Sequence, residues 1–162
     1  MPSWTFPQLC CIDISMTPHF RSGQKTDVVA CVDILRDWAE ETPWMAELDE
    51  RGSMQAFWRD IFETDKVWVA QTGSRIVGFC TRDDDNIGAL YVIAGERSTG
   101  IGKRLLDLAK ADRDWITVWA YEKNKDALRF YHREGLVELK REIEVESNLM
   151  NIEHRWTNPD QI

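Results

Sequence analysis

Arg97-Ser98-Thr99-Gly100-Ile101-Gly102 stands between an apolar segment, Ala89-Leu90-Tyr91-Val92-Ile93, and a helical segment running from Gly102 to about Lys110. A short strand, a glycine-bearing turn and a helix start, in that order, make a candidate anion site. The first N–H groups of a helix have no partner within it, and the aligned peptide dipoles place partial positive charge there. Phosphate or pyrophosphate is the usual occupant. Without a ligand the same residues read as an ordinary helix start capped by Ser98 or Thr99.

Downstream, the pattern predicts a strand over Ile116–Tyr121 and a helix from about Asn124 to Glu134, stopped by Gly135 as a C-terminal cap. The tail alternates, with Val137, Leu139, Arg141, Ile143 and Val145 on one face and Glu138, Lys140, Glu142 and Glu144 opposite. Past a turn at Ser147-Asn148, Met150, Ile152, His154 and Trp156 share a face, so the tail reads as a closing hairpin with a solvated side. His154 reads as a satisfied core histidine.

Upstream, Val67–Ala70 and Ile76–Cys80 flank Thr72-Gly73-Ser74 as an antiparallel hairpin. Asp83-Asp84-Asp85-Asn86 is a solvated turn leading into a strand at Ile87–Ile93. A first helix is expected from Thr26, its cap, to Glu40, with Val28, Val32, Leu35 and Ala39 as its apolar stripe. A second runs from Ser53 to Phe62 with Phe57 and Ile61 inward, and a short strand around His19-Phe20-Arg21 precedes both. The order predicts an α/β domain around a mostly antiparallel sheet. That single domain spans residues 18–158, with 1–17 as an N-terminal arm or upstream extension and 159–162 as a tail.

At 162 residues the chain is long enough to bury one proper core. A net charge of −8 and a pI near 4.9 argue against a nucleic-acid partner and mildly favour cationic ligands. Cys10, Cys11, Cys31 and Cys80 have neither zinc-type nor disulfide-framework spacing. No apolar run is long enough to span a membrane, and no basic start precedes an apolar signal segment. These features predict a cytoplasmic protein without membrane or nucleic-acid partners.

Two phosphate loops fail on residue type. A dinucleotide fingerprint needs a third glycine where Leu105 stands, and a P-loop needs Ser or Thr where Arg104 follows Gly102-Lys103. A third pattern fits. Leu90-Tyr91-Val92, a short loop and then Arg97-x-x-Gly100-x-Gly102 opening a helix resembles the acetyl-CoA motif of the GNAT superfamily of N-acetyltransferases. Downstream, Asn124, Ala127, Phe130-Tyr131 and Glu134-Gly135-Leu136 resemble that superfamily's second conserved block. The resemblance covers roughly Phe20 to Trp156 and looks like bacterial members of unassigned substrate. Ser98 and Ala94 depart from it, standing where the family usually has glycine and proline.

The resemblance implies a GNAT fold: a mixed, mostly antiparallel sheet of six to seven strands, about four flanking helices and splayed central strands. It implies acetyl-CoA as cosubstrate and no metal. Backbone N–H groups of Arg97, Ser98, Thr99, Gly100, Ile101 and Gly102 would cradle the pyrophosphate, with Arg97, Lys103 or Arg104 adding charge. Leu90, Tyr91 and Val92 would offer backbone groups to pantetheine, with Asn124 nearby and the Tyr131 hydroxyl near the thioester sulfur as general acid. The acid that many relatives carry early on the strand aligns with Asn86 here, leaving Asp85, through a water, as the candidate base.

Trp38, Trp44 and Met45, with Trp58, are candidates for the acceptor pocket, or alternatively core or dimer surface. The expected partner is a small-molecule amine, or a protein amine, in a homodimeric enzyme using direct attack without an acyl-enzyme. The rival reading is a noncatalytic acyl-CoA-binding sensor, which the Asn86 position makes plausible.

Overall fold

A computed structural model describes residues 17–162, so the expected arm lies outside the described residues but for Thr17. In chain order the elements are β1 (His19–Ser22), α1 (Val28–Glu40), α2 (Arg51–Thr64), β2 (Lys66–Thr72), β3 (Arg75–Asp83) and β4 (Asn86–Val92). There follow α3 (Ile101–Lys110), β5 (Trp115–Tyr121), α4 (Lys125–Arg133), β6 (Val137–Glu144) and β7 (Leu149–Thr157). The strands form one seven-stranded sheet in the order β1-β2-β3-β4-β5-β7-β6. Every neighbouring pair is antiparallel except β4 and β5, which run parallel. This is the predicted α/β architecture.

Helices cover the two faces unequally. On one face α3 and α4 pack Ile101, Leu105, Leu106 and Tyr131 against Val77, Cys80, Ile87, Ile116 and Val118. On the other, α1 and α2 set Cys31, Ile34, Trp58 and Phe62 against Val67, Val69 and Phe79. Because β3 is covered on both sides, it is buried without interruption from Val77 to Arg82 and shows no polar alternation. Cys31 and Cys80 are buried free thiols. Among the described residues no helix is long and apolar enough to cross a membrane.

Three local expectations are corrected. Thr26 does not cap α1: Gln24 caps a single 3₁₀ turn at Lys25–Asp27 that leads into it, with the Asp27 carboxylate accepting from the Gln24 N–H. α2 begins at Arg51 because the Glu50 carboxylate accepts from the N–H groups of Gly52 and Ser53. Its inward residues are Met54, Trp58 and Phe62 at fourfold spacing, and Phe57 is 60% exposed.

The third concerns β6. A bulge between Glu138 and Lys140 leaves Leu139 without a partner and reverses the alternation beyond it. Glu138 and Arg141 consequently share a face and form an ion pair at 2.6 Å, while Val137, Leu139 and Ile143 are all exposed. Gly135 ends α4 at φ 85°, as its sequence position predicts.

Candidate active site

The parallel pair β4–β5 is joined over two residues only, Asn86 opposite Thr117 and Ile87 opposite Val118. At this closed end the Thr117 N–H donates to the Asp85 carbonyl at 2.8 Å and the Thr117 hydroxyl meets the Asn86 side chain at 3.3 Å. Past Ile87 the strands part. β5 keeps a full ladder with β7 from Trp115 to Tyr121, so it leaves β4 without losing its other edge. Gly88 is the extra residue of a bulge where β4 shifts against β3, and it is exposed in the middle of the sheet.

The open edge of β4 can be read from the strand's own alternation. The Ile93 N–H donates to Val77 on the β3 side at 2.9 Å. Val92 and Leu90 therefore turn their backbone polar groups toward the splay. The Val92 carbonyl accepts from Arg97 Nε at 3.1 Å, and the same guanidinium meets Glu41 at 3.2 Å.

The turn before α3 is shaped for an anion. Gly100 is the N-cap at φ 92° and Ser98 sits at φ 64°. No side chain caps the helix, because the Thr99 hydroxyl donates instead to the Glu96 carbonyl at 2.5 Å. Among the described residues, the N–H groups of 98–103 find no acceptor within the protein. Arg97 is held by Glu41, and Lys103 by Asp107 at 2.9 Å and Glu134 at 3.5 Å. An anion placed at this turn would meet backbone N–H groups first, with Arg104, which lies over Phe20 and has no ion pair among the described residues, the cation left unpaired. The adjoining cavity of ≈ 370 Å³ contains Asp37, Glu40 and Glu41 against Arg75 and Arg97, a poor place for phosphate.

The two glycines of the turn separate fold from ligand. A Cβ at residue 102 would meet nothing nearer than Phe130 at 3.6 Å, an ordinary contact. Gly102→Ala should therefore keep its thermal midpoint; on the expectation that the turn holds CoA pyrophosphate against its backbone, it should raise the KM for acetyl-CoA about tenfold, for a contact worth ~1.4 kcal/mol. Gly100→Ala, at positive φ, should instead lose ~1–2 kcal/mol of stability. Thermal melts paired with acetyl-CoA titrations distinguish the two variants.

Tyr131 rises from α4 on the α3 side of the splay, 6% exposed, between Phe130 at 5.4 Å and His154 at 6.0 Å between ring centres. Its hydroxyl makes no hydrogen bond among the described residues. Burial holds its pKa well above the ordinary phenol value, with Cys80 and Tyr91 adding to the effect. The neighbouring Cys80 thiol, also desolvated, is pushed up to about 12. Asn124 Oδ1 accepts from the Ala127 N–H at 3.2 Å as the cap of α4, leaving its NH₂ group unused by that bond. His154 is buried, its Nδ1 at 3.1 Å from the Ile152 carbonyl, as expected of a core histidine.

The opposite, α1–α2 face of the splay is aromatic. Trp38 lies 5.3 Å from Tyr91 and 6.1 Å from Trp44, and Trp44 lies 5.8 Å from Tyr121. Tyr121 belongs to this face because its neighbour Ala120 packs into the α3–α4 core. Its hydroxyl donates to Glu144 at 2.7 Å. Met45 is half-buried in the same connection as Trp44, whereas Trp58 packs in the core.

Asp85 is not brought to the open part of the splay. Its carboxylate pairs with Arg113 at 3.4 Å beside the closed end. Sequence reasoning missed Gly88, Tyr121 and Glu144. A glycine inside a strand is the available signal for the first. The other two meet only through the register of β5, β7 and β6, which no local pattern reports.

Comparison with known proteins follows this geometry. The family model described as an acetyltransferase (GNAT) domain matches residues 63–138. The peptidyl-lysine N-acetyltransferase YiaC of Escherichia coli (strain K12) is 24% identical over 124 residues, covering 71% of this chain and 80% of its own. Among solved structures, apo-form YjaB of Escherichia coli superposes with a TM-score of 0.72 at 19% identity, covering 87% of this chain and 98% of its own. YncA of Salmonella typhimurium, solved with its cofactor acetyl-CoA, gives 0.66 at 16% identity, covering 86% of this chain and 93% of its own.

Proposed function

We propose that this chain is an acetyl-CoA-dependent acyltransferase of the GNAT superfamily, whose domain model matches residues 63–138, and that it acetylates a primary amine of a small molecule by direct attack. The observation that carries the reading is the splay, with the uncapped turn at one end and Tyr131 beneath its open part. Acetyl-CoA supplies an activated acetyl thioester, and the amine nitrogen forms the new C–N bond as the C–S bond breaks. The nitrogen sheds its surplus proton to solvent water, and the sulfur leaves as the CoA thiol with a proton from Tyr131, which solvent then restores.

The N–H groups of residues 98–103 hold the pyrophosphate, and the Leu90 and Val92 backbone takes pantetheine as an added strand would. The Arg97 guanidinium must leave the Val92 carbonyl for that pairing. Tyr131 keeps its proton for the departing sulfur. A phenol with so high a pKa would be a weak acid toward a thiolate in water. The same burial raises thiol pKa values too, as at Cys80, so a sulfur held beside Tyr131 would be shifted in the same direction as its donor.

A panel of small amines and lysine-bearing peptides, read by thiol release with acetyl-CoA binding measured in parallel, tests the reading. Peptides are included because the YiaC relative is a peptidyl-lysine N-acetyltransferase. Turnover on small amines above that on peptides is expected. Binding of acetyl-CoA without turnover on any acceptor would sink the proposal.

A further inference from the structure

Four rings from four separate segments meet at near-perpendicular corners over the α1–α2 mouth of the splay. The interplanar angles are 62° for Trp38–Tyr91, 83° for Trp38–Trp44 and 73° for Trp44–Tyr121. Edge-to-face contact covers only part of a ring face, so unlike a closed stack it leaves face area along the row uncovered. All four are only half-buried, so part of each remains open to solvent. Tyr91 is braced from behind by Phe79, stacked at 5.8 Å, and Phe79 in turn by Trp58 at 5.7 Å.

Glu144 at the edge of this box differs from its neighbours. Glu138 and Glu122 pair with Arg141, and Glu142 and Glu153 pair with Lys140. Among the described residues Glu144 has no ion pair; it accepts from the Tyr121 hydroxyl at 2.7 Å and the Ser147 hydroxyl at 2.5 Å. Two hydroxyl donors fix a half-buried carboxylate without neutralising it. Ring faces attract cations through their quadrupoles, and a fixed anion adds a full charge. A neutral group gains little from either.

The chemistry then separates two nitrogens. The attacking nitrogen must be neutral, whereas ring faces and a carboxylate stabilise its protonated form. The nitrogen held in the box is not the one that reacts. We propose that Trp38, Trp44, Tyr91, Tyr121 and Glu144 form a subsite for a second, standing ammonium group, which makes aliphatic diamines and polyamines the preferred acceptors. The proposal rests on the acetyltransferase reading above and adds to it the charge of the acceptor. The chain's net charge of −8 favours the approach of such cations.

Calorimetric titration in the presence of CoA tests it with three probes: 1,4-diaminobutane, n-butylamine and 4-aminobutanoate. The diamine is expected to bind about tenfold more tightly than the monoamine, and 4-aminobutanoate, which sets a carboxylate against Glu144, more weakly than either. Glu144→Gln, whose amide oxygen still accepts from Tyr121 and Ser147, should remove most of the diamine preference, as should Trp44→Leu. Equal binding of diamine and monoamine by the wild-type protein overturns the subsite, as does a preference that survives Glu144→Gln. Thiol release measured in parallel, with acetyl-CoA in place of CoA and the same amines, keeps the two readings apart. Equal turnover of both amines refutes the subsite and leaves acetyl transfer standing. Selective diamine binding without thiol release upholds the subsite and defeats the transfer.

Discussion

Tyr131→Phe is expected to lower kcat on a good acceptor by about 10²- to 10³-fold while leaving acetyl-CoA affinity nearly unchanged. The expected size follows from the role proposed for the hydroxyl, delivery of one proton to the sulfur in the transition state, since it makes no bond among the described residues. The stability readout should stay put. The hydroxyl makes no bond among the described residues for the phenylalanine variant to lose, so that variant should melt within about a degree of wild type. A residue whose role was packing alone would show neither the loss of rate nor this split. Single-turnover measurement with saturating acetyl-CoA separates chemistry from product release. Wild-type turnover in the variant would remove Tyr131 from the mechanism. Burial holds this phenol protonated above its ordinary range, so no loss of rate traceable to Tyr131 is expected below about pH 10.

What the sequence showed of this site depended on how local each signal is. The turn at Arg97–Gly102 and the start of α4 at Asn124 are written in a few consecutive residues. Both appear where expected, although the Ser98 or Thr99 cap gives way to an uncapped Gly100. The strands were legible wherever one turn governs them, as in β2–β3. β6 was misread because a bulge at Leu139 leaves no mark on an alternating pattern, yet reverses every side chain beyond it. Phe57 was misplaced by a related difficulty. With α2 started by Glu50, the inward stripe is Met54, Trp58 and Phe62, and two adjacent aromatics cannot both face the core.

The acceptor side was the least legible part. Trp38 and Trp44 could be named from their place in the chain, but Tyr91, Tyr121 and Glu144 join them only through the sheet order β4-β5-β7-β6. Asp85 shows the converse: near the right strand in sequence, it is turned to Arg113 at the closed end. Proximity along the chain says which strand a residue belongs to. It does not say which end of a splay the residue reaches.

Asp112→Asn is expected to destabilise the fold by ~2–3 kcal/mol, a fall of roughly 5–10 °C in thermal midpoint for a chain of this size. Its partner Arg82 has a side chain with 0% exposure and crosses from β3 to the end of α3. There it meets the Asp112 carboxylate at 2.7 and 3.2 Å and donates to the Ala109 carbonyl. Asp112 also receives Lys66 at 2.6 Å, and these two cations, Arg82 first, hold its carboxyl well below the usual range. Removing the carboxylate leaves a buried guanidinium without its counter-charge, the costly half of any buried pair. Asp112 is itself 47% exposed, which puts the loss below that of a wholly interior pair. Arg82→Met should behave very differently. It fills nearly the same space with apolar atoms and leaves Asp112 at the surface with Lys66, at the cost of the donor to the buried Ala109 carbonyl, so a smaller loss of about 1 kcal/mol is expected. Denaturant titration of both variants checks the asymmetry, and equal losses would refute it. The pH dependence gives a second check. Because the folded-state pKa of Asp112 is depressed, its contribution is complete above the unfolded value near 4 and is lost as pH falls through the folded value. The asparagine variant should therefore lie closest to wild type in acid and furthest from it at neutral pH.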